Sequence, residues 1–169
     1  KGGKILGNLL QMLLHGKSRT PCQHMRAVLQ DPASTTFQSV VDGLSVGPQV
    51  DQNYFIVGGV MAGEGAVISR DRDKAVDVWY LGRNATSKND GWYRLQTNYD
   101  HWEPVPSADD RRTPGFEHMN AMGQDKIATN LFNDVMHLWP TFNHHTDYTV
   151  MMSAGNSQYD SMVWMDQAK

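Results

Sequence analysis

Several groups of side chains in this sequence have the types to do chemistry, and their spacing decides how far each reading goes. Asn98 carries an amide at the end of an apolar segment, in Thr97-Asn98-Tyr99-Asp100-His101-Trp102. Taken alone, an asparagine there reads as a strand-end or turn residue. Asp109-Asp110-Arg111-Arg112 sets two carboxylates before two guanidiniums. Taken alone, that is a solvated charge cluster, and exposed pairs contribute little. His137, His144, His145 and Asp147 have ligand chemistry. Their spacing matches no zinc pattern, and a strand would send adjacent histidines to opposite faces, so no metal is expected. Cys22 is the one cysteine. It excludes an internal disulfide and a cysteine-based zinc site. Lying inside an expected helix with no free amino group, it is not expected to be a nucleophile. Glu64, between two glycines, reads as a turn residue. Asn84-Ala85-Thr86 is a glycosylation sequon in a polar loop between two expected strands.

These residues need elements to position them. Ile5, Leu6, Leu9, Leu10, Leu13 and Leu14 recur at helical spacing, and Gly16 is placed to end that helix. Thr20-Pro21 opens a second helix that runs to Leu29. Phe37, Val40, Val41 and Leu44 mark a third, closed by Gly47-Pro48. Asn53 to Val57, Gly65 to Ser69, Ala75 to Leu81 and Trp92 to Thr97 are β-branched and aromatic, with turn-rich segments between them. Short connections predict a four-stranded antiparallel meander. Thr113-Pro114 predicts the start of another helix, with Phe116, Met119 and Met122 on its apolar side and Gly123 as its stop. A further helix carries Leu131, Val135 and Leu138 on one stripe, with Phe132, Met136 and Trp139 beside it, and Pro140 ends it. Thr146 to Ala154 and Tyr159 to Met165 predict two last strands around Gly155-Asn156-Ser157. Helices, strands, helices, strands in segregated runs predict an α+β fold with antiparallel sheets.

The chain has 169 residues and a formal net charge of -3. That length fits one domain or a large piece of one, and no linker separates two. The acidic balance lacks the basic footprint of a nucleic-acid binder. Seven histidines add positive charge in an acidic compartment. The ten methionines, Met119, Met122 and Met136 among them, read as adaptable core. The chain begins at Lys1 and reads as a processed chain or a fragment. The apolar run after it is too short to span a bilayer. No small-residue cleavage site follows it, so a signal peptide is the second reading.

The Asn98 to Thr113 block closely resembles a signature of the acid ceramidase and acid amidase family. It comprises Thr97-Asn98-Tyr99-Asp100-His101-Trp102, then Pro104, Pro106 and Asp109-Asp110-Arg111-Arg112-Thr113. Tyr54-Phe55-Ile56-Val57-Gly58-Gly59, Gly63-Glu64-Gly65 and Ile68-Ser69-Arg70-Asp71-Arg72 are similar to the same family in the same order. So are Tyr148-Thr149-Val150-Met151 and Ser153-Ala154-Gly155. The likeness covers roughly the last two-thirds of the chain and is weak over the first helices.

The resemblance implies an N-terminal-nucleophile hydrolase with a four-layer αββα sandwich, incomplete here. Residues 1–169 would be the C-terminal part of its single domain and of its β subunit. It implies an autoprocessed cysteine amidase, lysosomal or secreted. Its expected substrates are lipid amides, N-acylethanolamines first and ceramides second, with a catalytically silent lipid-binding homologue as the alternative. Partners would be the smaller α subunit of the same precursor and a lipid surface; no cofactor or metal is implied. Carried over residue by residue, Asn98 is the oxyanion donor and Arg111 the active-site arginine. Arg112 is expected to be structural, Asp100 to fix the loop after Asn98, and His101 and Trp102 either to line the substrate channel or to pack the core or loop. The family's nucleophilic cysteine lies upstream of Lys1, so this chain alone is expected to be inactive.

Overall fold

The computed structural model describes residues 5–14, 16, 18–82 and 91–165. The chain divides into two compact units, Lys1–Thr86 and Ser87–Lys169.

The first unit opens with helices α1 (Ile5–Leu14), α2 (Pro21–Leu29) and α3 (Phe37–Ser45). Thr20 caps α2 as its sequence predicts. Its hydroxyl accepts from the Gln23 N–H at 3.2 Å, and the Gln23 side chain accepts from the Thr20 N–H at 3.0 Å. These reciprocal bonds satisfy two amides that the helix itself leaves unpaired. Thr36 and Ser39 build the same box at α3, with Ser39 doing the work of a glutamine. Strands β1 (Asn53–Gly58), β2 (Gly65–Arg70) and β3 (Ala75–Tyr80) follow, antiparallel and in that order. The β1–β2 turn needs Gly63, whose φ is +83°. Glu64 is a turn residue as expected: its carboxylate accepts from the Met61 N–H at 2.9 Å. Val28 of α2, Val41 and Leu44 of α3, Phe55 of β1, and Ala66 and Ile68 of β2 form the core of this unit. Val78 and Tyr80 pack against it from β3.

The expected fourth strand does not form. Trp92 to Thr97 lies in the second unit and joins no ladder among the described residues. Its polar groups are engaged locally instead. Arg94 donates to the Tyr93 carbonyl at 2.8 Å, and Gln96 donates to the carbonyls of Thr97 and Tyr99.

The second unit holds α4 (Arg112–Met122), a 3₁₀ turn, α5 (Ile127–Leu131) and a π turn (Phe132–Met136), then β4 (Tyr148–Ser153) and β5 (Gln158–Val163). Helix α4 starts one residue before the expected cap. Thr113 lies inside the helix, and its N–H donates to the Asp110 carboxylate at 2.8 Å. Asp110 therefore does the capping expected of Thr113. A Cβ on Gly115 would stand 2.7 Å from Leu95, so α4 lies close against that side chain. Tyr93, Met119, Met122 and Val135 form the core, and Phe116 and Leu131 pack on it. The apolar stripe beyond Leu131 does not continue as expected. The π turn ends at Met136, short of the expected stop at Pro140, so Val135 is buried while Leu138 and Trp139 lie beyond the helix, 37% and 70% exposed. The last two strands pair antiparallel, from Tyr148 opposite Val163 to Ser153 opposite Gln158.

Candidate active site

Asn98 and Arg111, which stand 13 positions apart in the sequence, line one cleft of about 720 Å³. Asp109, Thr141, Asn143, Asp147 and Thr149 line it too, and every lining residue belongs to the second unit. Among the described residues no hydrogen bond engages the Asn98 side chain. Its two N–H donors are free for a ligand oxygen.

Arg111 reaches the cleft from the position before α4. Its Nε and Nη2 each donate to one oxygen of Asp109 at 2.8 Å. This two-bond geometry fixes the guanidinium plane. The carboxylate held on the Arg111 fork is that of Asp109. That use occupies one edge of the fork and leaves Nη1 without a partner among the described residues. The Arg111 hydrogen bond holds the Asp109 carboxyl below the usual carboxylate range. The pair is therefore intact above that depressed value and is lost only as pH falls through it.

Arg112 points elsewhere. It is 8% exposed. Its Nη1 donates to the Glu103 carbonyl at 2.8 Å, and its Nη2 to those of Asp100 at 2.7 Å and Tyr99 at 3.3 Å. The guanidinium also lies 4.3 Å from the centre of the Tyr99 ring. Adjacent arginines thus divide between cleft and loop. The Asp100 carbonyl also accepts from the Glu103 N–H at 2.9 Å, which closes the turn after Asn98.

The turn between Pro140 and Thr146 forms another wall. Asn143 organises it: its amide donates to the Pro140 carbonyl at 3.0 Å, and its side-chain oxygen accepts from the His145 N–H at 2.9 Å. Sequence reasoning missed Asn143. The asparagine preference for turns was the available signal.

Of the remaining sequence candidates, His145 and Asp147 line this cleft and the others do not. His101 and Trp102 pack edge to face, with ring centres 4.8 Å apart, and neither lines it. Cys22 is exposed on α2 in the first unit. Asn84 lies outside the described residues. His144 and His145 sit in a turn, not a strand, with ring centres 4.1 Å apart. His137 is held among Phe132, Phe142 and Trp164, at 3.8, 4.6 and 4.6 Å between ring centres, and burial lowers its pKa. Among the described residues no three His, Cys, Asp or Glu side chains are grouped to hold a metal. A second cleft of about 990 Å³, lined by His137, Trp139, Phe142 and Trp164, shares Asn143, His145, Thr146 and Asp147 with the first.

No family model matches the chain. Individual proteins do. The N-acylethanolamine-hydrolyzing acid amidase of Rattus norvegicus is 41% identical over 131 residues, 77% of this chain and 35% of that protein. The acid ceramidase of Homo sapiens is 35% identical over 138 residues, 82% of this chain and 33% of that protein. The chain thus spans about a third of the length of these relatives. A solved structure of a Caenorhabditis elegans N-acylethanolamine-hydrolyzing acid amidase ortholog superimposes with a TM-score of 0.72 at 24% identity. It covers 98% of this chain and 69% of its own. The fold is accordingly α+β of the N-terminal-nucleophile hydrolase type. With the sequence identities, this places the compared region of the chain in the family of N-acylethanolamine-hydrolyzing acid amidases and acid ceramidases.

Proposed function

We propose that this chain supplies the oxyanion-binding part of an amidase that hydrolyses lipid amides, N-acylethanolamines first among them. The observation that carries the reading is the unengaged Asn98 amide beside Arg111 in one cleft. The nucleophile is the N-terminal cysteine of an autoprocessed precursor, in polypeptide outside this sequence. Its thiolate attacks the amide carbonyl, and its own α-amine, with an ordinary pKa of ~7.7–8.0, serves as the base. Negative charge then builds on the carbonyl oxygen. An Asn98 N–H stabilises it without reorganising, because a fixed donor in a cleft is already oriented. Collapse breaks the C–N bond, the amine leaves with a proton, and water hydrolyses the thioester. In the neighbouring cleft, Trp139, Phe142, Trp164 and Met165 offer apolar contacts for the acyl chain among polar lining residues.

Ceramide is the second substrate class, supported by the 35% identity to human acid ceramidase. The higher identity to the rat amidase favours N-acylethanolamines. The setting that fits is the lysosome, with Asn84 glycosylated and the smaller subunit retained.

A lipid surface is the expected partner of α1. Its leucines are exposed, while basic residues flank it at Lys1, Lys4, Lys17 and Arg19.

The test is Asn98→Ala in the full-length protein, assayed on N-acylethanolamine and ceramide. Turnover is expected to fall on the order of 10²–10³-fold. Turnover equal to that of the parent would remove the role assigned to Asn98.

A further inference from the structure

An oxyanion donor works only where it stands still, and no bond among the described residues holds the Asn98 side chain itself. Its backbone is held instead. The Gln96 side-chain amide donates to the Thr97 carbonyl at 2.7 Å and to the Tyr99 carbonyl at 2.9 Å, the two residues flanking Asn98. Arg112 binds the same Tyr99 carbonyl and continues to those of Asp100 and Glu103. Two side chains thus grip the peptide unit that enters Asn98, the one that leaves Tyr99, and the turn that follows.

The Arg112 arrangement is costly. A buried guanidinium loses hydration, and among the described residues no carboxylate pairs with it. It is also the first residue of α4, where the helix dipole disfavours positive charge. What offsets these terms is the set of three carbonyls and the Tyr99 ring. Among the described residues the segment that carries Gln96 has no strand partner, so the Thr97 and Tyr99 carbonyls receive from it bonds that no ladder supplies.

We infer that Gln96 and Arg112 are positioning residues for Asn98: they fix the peptide units around it, and so fix where its amide stands in the cleft. The inference rests on the reading of Asn98 as the oxyanion donor. A displacement of about 1 Å at such a group can cost roughly 10²-fold in rate, so the effect of releasing the grip falls on the chemical step.

The experiment uses the full-length enzyme and a fluorogenic N-acyl amide. Gln96→Met keeps the length and removes the donor. Arg112→Lys keeps the charge and loses the planar fork. Each is measured alone and combined with Asn98→Ala. Each single variant is expected to lower kcat about tenfold to a hundredfold with KM nearly unchanged. Neither should cause further loss in the Asn98→Ala background, because residues acting through one group are not additive. Losses that multiply in full over an impaired Asn98→Ala enzyme, or that appear in KM alone, overturn the positioning roles and leave Asn98 standing. An Asn98→Ala enzyme as fast as the parent overturns both. If Arg112→Lys does not fold, Gln96→Met decides by the same outcomes.

Discussion

At the scale of single residues, His24 shows how burial sets a titration. It is 6% exposed on α2, and its ring centre lies 6.2 Å from that of Phe55. Burial lowers its pKa most, and the nearby Arg70 and Arg19 charges lower it further. Hydrogen bonding to the Gly43 and Leu44 backbone acts the other way. A base whose folded pKa is depressed binds its proton more readily in the unfolded chain. Its contribution to stability is therefore complete above the ordinary value near 6.5 and is lost as pH falls toward the depressed one. Denaturant midpoints of the full-length protein should drop as pH falls below the ordinary histidine value of about 6.5, and His24→Gln should flatten that slope. A wild-type slope that survives the substitution would assign the effect to other groups. Asn98 and Arg111 were legible by a different route, through the resemblance of their segment to a known signature. Gln96 and the loop contacts of Arg112 were not legible at all. Both act on backbone carbonyls, which every residue carries, so no pattern of side-chain types announces them.

At the scale of elements, the close approach of α2 and α3 offers a test of packing against propensity. A Cβ on Gly43 would come within 2.9 Å of a Val28 methyl. Alanine favours a helix over glycine by roughly 1 kcal/mol. Valine is stiff about its first side-chain torsion and cannot swing aside, and overpacking costs typically about 1–3 kcal/mol. Gly43→Ala should therefore lower stability by about 1 kcal/mol or more, read as a fall in the unfolding midpoint. A rise would show that the helices part at little cost. Sequence periodicity placed α1, α2, α3 and three strands with nearly their true ends, because caps such as Thr20 and breakers such as Gly63 act locally. It failed at Trp92 to Thr97, whose β-rich composition cannot tell whether a partner strand is present. It failed again after Leu131, where the helix passes into a π turn and ends at Met136, before the proline that the sequence offered as its stop.

At the scale of the whole molecule, α1 meets the rest of the first unit through a polar side chain and turns its leucines outward. Asn8 bonds to Arg72 at 2.6 Å, whereas Leu6, Leu13 and Leu14 are 78%, 80% and 69% exposed. No helix among the described residues is long and apolar enough to cross a membrane. A helix of this kind is suited to lie in the headgroup region. Full-length protein should bind vesicles of mixed neutral and anionic lipid, and Leu10→Glu with Leu13→Glu should weaken that binding severalfold at unchanged fold. Equal binding by parent and variant would dismiss α1 as the contact.

The same outward leucines also govern how the protein behaves at the bench. With water against them, two molecules gain by meeting stripe to stripe, since large exposed apolar patches favour association. Concentrated, amphiphile-free samples are thus poised to form aggregates. Micelles or detergent would compete for that surface, so the additive chosen for storage also sets how much of α1 remains available for an assay.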